Sequence, residues 1–209
     1  MLERISSLDE FTKIGKDAAG FICTNFLKGE TLRLISEETK NNFAESKNKN
    51  KVDGLVGVAY EKYTDLYLCP GLKETSPKLY TFLERELFSL KEFEEHSNKW
   101  CATAVQFNPL DGMTSHRDYS YNLQILGTLV LDGEILFGSS LKKREDAYKL
   151  SNLVLAGEGD LIELKAPSKN NNERPFFSIL SPGPSLILRI WMLEKSNCPA
   201  CSGVYDEQK

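Results

Sequence analysis

Seven short apolar segments follow one another between residues 100 and 193, and turn-forming residues separate each segment from the next. No helical pattern interrupts the series. Strands at this spacing favour antiparallel pairing in a sandwich or barrel, because parallel strands need long crossover connections. The predicted strands are Cys101–Phe107, Leu123–Leu131, Glu134–Phe137, Asn152–Ala156, Asp160–Leu164, Phe176–Leu180 and Ser185–Leu193.

The dipeptide Asp132-Gly133 lies between two of these segments. Aspartate and glycine tolerate the left-handed backbone conformations that two-residue hairpin turns require. The dipeptide therefore predicts a β-hairpin in which Thr128–Leu131 pairs with Glu134–Phe137.

The first hundred residues carry helical patterns instead. After Gly29, apolar residues recur at helical spacing, and a second helix is predicted from Ser76 and Pro77, a capping residue followed by a residue suited to the first turn. We expect an α+β fold in which N-terminal helices cover one face of a β core. A chain of 209 residues fits one domain, with a helical and mixed region at 1–99, the core at 100–193 and a tail at 194–209.

Charge and composition exclude several functional classes. Lys and Arg total 26 against 30 Asp and Glu, so no global basic field attracts nucleic acid. No apolar run approaches the roughly 20 residues that a membrane helix needs, and Met1–Thr12 contains no apolar block typical of a secretion signal. The 5 cysteines are an odd number and are interpreted as reduced thiols, which indicates a cytoplasmic or nuclear protein.

The strongest candidate for chemistry is the pair His116 and Asp118. The sequence holds 2 histidines, which excludes sites built from three or four imidazoles. In an extended segment, residues two apart share a face, so these side chains can converge on one cation. A nitrogen and oxygen donor pair suits Fe(II), with a third protein ligand expected. The alternative interpretation is a loop histidine near a solvated acid.

Five segments carry a family likeness: Pro77–Leu90, Ala102–Ser120, Leu126–Leu141, Gly159–Ile162 and Ser185–Trp191. They resemble the double-stranded β-helix, or jelly-roll, oxygenases that use Fe(II) and 2-oxoglutarate. The arrangement is most similar to AlkB-like enzymes, with TET/JBP-type base oxygenases as a second resemblance. The second resemblance rests on Asn122 and Leu131–Gly133, which follow His116-Arg117-Asp118 in a comparable order.

The resemblance implies functions for three residues. His116 and Asp118 would bind iron, and Arg189 would pair with the distal carboxylate of 2-oxoglutarate, a task for which the planar guanidinium is suited. The competing interpretation of Arg189 is a strand residue that faces solvent or a structural acid, and Ser185 is another counterpart of the family arginine. The implied reaction uses O2 to oxidise a C–H bond, such as an N-methyl group or a base in nucleic acid or protein.

The sequence also departs from the family pattern. Phe176 or Phe177 stands where the distal iron-binding histidine is expected, and Phe107 replaces a family tyrosine. Neither Phe176 nor Phe177 can bind iron. The residues considered as substitutes for this ligand are Asn170, Asn171, Asn172, Glu173 and the upstream His96.

Two alternatives to an enzyme follow from these departures. The chain would be a catalytically inactive β-helix binding or scaffold protein that has lost its metal site, or a cupin-like protein that binds an apolar ligand among Val105, Phe107, Phe176 and Phe177. The pair Cys198 and Cys201 has the spacing of a zinc or redox site, but no second pair is present, and two ordinary thiols are the favoured interpretation.

Overall fold

The computed structural model describes residues 12–14, 20–56, 59–68, 75–86, 100–117, 123–141, 153–164 and 175–193. These residues form two helices, α1 (Gly29–Glu45) and α2 (Pro77–Glu86), together with twelve strands. In chain order the strands are β1 (Thr12–Ile14), β2 (Gly20–Cys23), β3 (Asn50–Val56), β4 (Ala59–Tyr67), β5 (Trp100–Phe107), β6 (Gly112–His116), β7 (Leu123–Asp132), β8 (Ile135–Ser140), β9 (Leu153–Ala156), β10 (Leu161–Leu164), β11 (Phe176–Leu180) and β12 (Ser185–Leu193).

The strands follow one hydrogen-bonded path in the order β1-β2-β10-β7-β12-β5-β4-β6-β11-β8-β9, and β3 pairs with β4 beside this path. The pairings are antiparallel. Strand β4 connects the two halves of the path, because its Thr64–Tyr67 half pairs with β5 while Glu61 and Lys62 pair with β6. The sheet folds over at β4 and encloses a space between its halves.

Alternate side chains of the strands form two separate cores. The inner core lies between the halves of the folded sheet and includes Val105, Phe107, Met113, Val130, Ile135, Phe137, Ile162, Phe177, Ile179 and Ile187. The outer core packs strand residues such as Ala104, Leu129 and Leu188 against the two helices. This arrangement is a β-rich jelly roll with helices over one outer face.

The two helices contact each other as well as the sheet. Ile35 and Phe43 of α1 and Leu79 and Phe82 of α2 are buried in the outer core, as helical spacing predicts. The carboxylate of Glu38 on α1 accepts hydrogen bonds from two backbone amides in the first turn of α2. These bonds satisfy donors that a helix start leaves without intrahelical partners.

The α+β class expected from the sequence needs correction. Strands β1 to β4 all precede residue 100, and β2 and β4 are integral to the sheet. The described residues are mostly β, with few helices. The predicted double-stranded β-helix is confirmed, whereas the α+β description overstates the helical share.

The hairpin predicted at Asp132-Gly133 was also wrong. Gly133 has a φ of +73°, as such a turn requires. However, β7 pairs with β10 and β12, whereas β8 pairs with β9 and β11. The turn carries the chain from one half of the sheet to the other, because each strand finds its partners through tertiary packing.

Some expectations fall outside the residues that the structure describes, among them the tail at 194–209 with Cys198 and Cys201. Within the described ranges, no helix has both the length and the apolar character needed to cross a membrane.

Candidate metal and cosubstrate site

A β-bulge turns His116 toward the interior of the folded sheet. His116 stands opposite Phe177 of β11, and Met113 stands opposite Ile179, so three steps along β6 match two steps along β11. The extra residue places His116 on the same face as Met113, which belongs to the inner core. The imidazole is consequently buried, with 8% of the residue exposed.

The two ring nitrogens of His116 have different surroundings. Nδ1 lies 2.8 Å from the carbonyl oxygen of Thr114. Since a carbonyl only accepts, Nδ1 carries the proton in this contact. This bond orients the ring and directs Nε2 toward the interior, the orientation that metal-binding histidines adopt.

A buried carboxylate faces Nε2 from the neighbouring strand. Glu61 Oε1 lies 3.5 Å from His116 Nε2, and Glu61 is 5% exposed. Its other oxygen, Oε2, accepts a hydrogen bond of 2.7 Å from the Tyr63 hydroxyl. Burial, together with the bond to Glu61, raises the pKa of Tyr63 well above its usual range. Tyr63 therefore stays protonated and holds the carboxylate in place.

Phe177 occupies the position across from His116. The two rings are 4.5 Å apart, and on its other side Phe177 stacks on Phe137 at 5.9 Å. Phe177 is 1% exposed. An apolar ring thus fills the place where the family resemblance implied a histidine.

Arg189 enters the same interior from β12. Ile187, two residues earlier on the same face of the strand, belongs to the inner core. The guanidinium carbon of Arg189 lies 5.2 Å from the centre of the Phe177 ring. Arg189 stands opposite Thr103 of β5, whose buried hydroxyl oxygen has no hydrogen-bond partner among the described residues. A guanidinium beside an unsatisfied hydroxyl is a suitable environment for a carboxylate group.

Asp65, a third inward residue of β4, is a perturbed acid. Burial is the main cause that raises the pKa of Asp65 to about 6, partly offset by a hydrogen bond to Asn50 and by the charge of Arg189. The folded protein therefore binds a proton here at a pH where the unfolded chain does not.

We expect this acid to make stability depend on pH. Between its unfolded pKa of 3.8 and its folded pKa of about 6, the folded state binds more protons, so stability falls as the pH rises through this window. The full shift corresponds to about 3 kcal/mol at most. Asp65→Asn should remove this component from urea unfolding measured between pH 4.5 and 7.5. Parallel pH profiles for the parent and Asp65→Asn would contradict the assignment.

The residues predicted from sequence are distributed unevenly. His116 and Arg189 both face the interior, whereas Asp118, His96 and the residues at 170–173 lie outside the described ranges. Phe176, expected in the cavity lining, instead lies on the opposite face of β11 from Phe177, with the Arg117 guanidinium 4.1 Å from its ring.

The sequence reasoning missed Glu61, Tyr63 and Asp65. They occupy alternate positions of β4, and an acid–aromatic–acid series at a spacing of two is the signal that predicts three side chains on one face of a strand. Tyr63 packs edge-on against Phe107 at 6.0 Å. A tyrosine hydroxyl is therefore present beside the position where Phe107 replaces the expected tyrosine.

The donors present fit a divalent metal in part. Among the described residues, no group of three or more His, Cys, Asp or Glu side chains is arranged to hold a metal ion. His116 and Glu61 do offer an imidazole nitrogen and a carboxylate oxygen, a pair that Fe(II) accepts. The arrangement with two histidines and one carboxylate does not fit, because Phe177 cannot act as a ligand.

No protein-family model and no curated protein matches the sequence. Solved structures do resemble the fold. A prolyl-4-hydroxylase from Pseudomonas putida has a TM-score of 0.57 at 13% identity, over 85% of this chain and 94% of its own. A prolyl hydroxylase from Trichoplax adhaerens, solved with a hypoxia inducible factor oxygen degradation domain peptide fragment, has a TM-score of 0.57 at 12% identity, over 84% of both chains.

A third structure broadens the comparison. The non-haem alpha-ketoglutarate-dependent epimerase SnoN from nogalamycin biosynthesis has a TM-score of 0.56 at 11% identity, over 83% of this chain and 77% of its own. The chain shares the fold of these three enzymes. At these identities the likeness establishes the fold alone, and the narrower AlkB-like and TET/JBP-like assignments find no support in it.

Proposed function

We propose that this chain is a non-haem Fe(II)- and 2-oxoglutarate-dependent dioxygenase that oxidises a C–H bond of its substrate. The observation that carries the proposal is the convergence of His116 and Arg189 on one buried space within an oxygenase fold. A metal-directed imidazole and a guanidinium are the two groups that an iron and a 2-oxoacid require.

In this proposal each residue has a distinct function. His116 binds the metal through Nε2 while the Thr114 carbonyl holds the ring in position. Asp118 remains the second ligand predicted from sequence. Arg189 anchors the distal carboxylate of 2-oxoglutarate, assisted by the hydroxyl of Thr103. Bound iron would supply the activation of O2, and the apolar inner core would exclude water from the reacting groups.

We place protein ahead of nucleic acid as the substrate class. One structural neighbour was solved with a peptide fragment, and the net charge of −4 provides no general attraction for a phosphate backbone. The reacting position, such as an N-methyl group, belongs to the proposal from sequence.

A second candidate is a catalytically inactive β-helix binding protein. Phe177 favours it, because this buried ring takes the distal ligand position and packs on His116. In that case the interior would retain Arg189 as an anion-binding group without oxidative chemistry.

Arg189→Lys distinguishes an anchoring arginine from a structural one. The variant should bind 2-oxoglutarate about tenfold more weakly, a loss of about 1.4 kcal/mol, because an ammonium keeps the charge but cannot form two parallel hydrogen bonds. Binding is measured by calorimetry on Mn(II)-loaded protein. Mn(II) affinity itself should stay unchanged.

The matched control is Arg33→Lys, which alters an exposed arginine that pairs with Glu30 and Glu37 on α1. It should bind 2-oxoglutarate like the parent. Equal affinities in Arg189→Lys and the parent would show that Arg189 is structural. A parent that binds metal but no 2-oxoglutarate would leave the non-catalytic candidate ahead.

A further inference from the structure

We propose that Glu61 is a metal ligand that, with His116, compensates for the histidine absent at Phe177. This inference rests on the proposed function. It assigns the missing metal ligand to strand β4, which lies outside the region 100–193 where the sequence predicted the β core.

The separation of the two groups suits a shared cation better than a direct hydrogen bond. His116 Nε2 and Glu61 Oε1 are 3.5 Å apart. An N–H···O hydrogen bond joins its heavy atoms at about 2.7–3.2 Å. Two metal–ligand bonds of about 2.1 Å place their donor atoms roughly 3.0 Å apart at the right angle of an octahedral site and roughly 3.4 Å apart at a tetrahedral angle. The observed spacing thus leaves room for a metal ion.

The hydrogen bond of His116 also suits a metal ligand. Because Nδ1 donates to the Thr114 carbonyl, Nε2 is the ring nitrogen that faces Glu61 Oε1 in this buried environment. An imidazole lone pair and a carboxylate oxygen that face each other are stabilised when a positive charge lies between them. A metal ion supplies that charge.

Glu61 is also held as metal ligands are held. Tyr63 donates to Oε2, which leaves Oε1 directed toward His116. Hydrogen bonds of this kind orient ligating carboxylates and contribute to metal affinity. The pairing of β4 with β6 through Glu61 and Met113 fixes the backbone from which the carboxylate projects.

The test is a titration of Mn(II) into the protein, followed by loss of the free-ion signal in electron paramagnetic resonance. Glu61→Gln should weaken binding by about a hundredfold. The amide keeps the side-chain shape and an oxygen for Tyr63, so thermal unfolding should change little. Glu61→Asp keeps the charge but retracts it by one methylene, and a loss of about tenfold is expected. His116→Ala should abolish binding.

Glu163→Gln is the matched control. Glu163 is a half-buried carboxyl on β10, and burial raises its pKa. Its replacement should leave Mn(II) affinity at the parent value. Equal losses in Glu163→Gln and Glu61→Gln would show a general effect of removing a carboxylate and would overturn the assignment.

The outcomes separate this inference from the proposed function. If Glu61→Gln binds Mn(II) like the parent while His116→Ala does not, Glu61 is no ligand and the proposed function stands. If Glu61→Gln weakens Mn(II) binding but the parent takes up no 2-oxoglutarate, the ligand assignment holds and the oxygenase proposal fails. A parent that binds no Mn(II) overturns both.

Discussion

Replacing Phe177 with histidine is expected to tighten Mn(II) binding by about a hundredfold, equivalent to about 2.7 kcal/mol. Phe177 lies opposite His116 in the strand register, with the rings 4.5 Å apart. An imidazole at this position would add a nitrogen donor beside His116 and supply the two-histidine set that Fe(II) and Mn(II) sites commonly use. The measurement is the same titration with paramagnetic resonance detection.

The substitution also removes a buried aromatic ring, so it needs a control variant with the same expected loss of folding stability. Phe137→His is suitable, because Phe137 is likewise 1% exposed and stacks on the far side of Phe177 from the site. Both variants should lose stability by about 2 kcal/mol through lost packing. If Phe177→His binds Mn(II) no better than Phe137→His, the register between β6 and β11 does not place a donor at the site.

Combining the two site variants sharpens the result. Glu61→Gln removes one donor and Phe177→His adds another, so the double variant should bind Mn(II) within about tenfold of the parent. Recovery would show that both side chains contribute to one centre. A double variant as weak as Glu61→Gln alone would place Phe177 outside that centre.

The second large effect is expected at Gly112, where β6 begins. A Cβ atom at this position would lie 2.2 Å from the backbone oxygen of Ile179. Backbone atoms cannot move aside without breaking strand pairing, so Gly112→Ala should cost about 3 kcal/mol and shift the urea midpoint to lower concentration. Displacement of β6 from β11 should also weaken Mn(II) binding.

Gly157→Ala provides the comparison, since an added Cβ there meets no heavy atom within 4 Å. Its stability should stay near that of the parent or rise slightly, because alanine restricts the unfolded chain. Equal urea midpoints for Gly112→Ala and Gly157→Ala would contradict the close approach of β6 and β11.

Local patterns predicted much of the secondary structure. The bounds of β11 and β12 agree with the predicted strands Phe176–Leu180 and Ser185–Leu193, and both helices bury the apolar face that their spacing indicates. The pairing of the strands was harder to predict from the sequence, as the turn at Asp132-Gly133 shows. A turn determines a local backbone conformation, but long-range packing decides which strands become neighbours.

Strand β4 shows why part of the site escaped prediction. Strand patterns are recognised by apolar residues on the buried face, and β4 buries Glu61 and Asp65 on that face. Functional positions often depart from the pattern of apolar residues on buried faces that the rest of a fold follows. The inward direction of His116 depends on a bulge, and its meeting with Glu61 depends on the folding of the sheet at β4, and neither is local in sequence.

The place of β4 between the two halves of the sheet has a consequence for how such a centre can diversify. Inward side chains recur every two residues along this strand. A shift of β4 by two residues along β6 would keep every side chain on its face while bringing Ala59 or Tyr63 beside His116 in place of Glu61. Such a register shift would exchange a carboxylate for a methyl group or a phenol while leaving His116 and Arg189 in place.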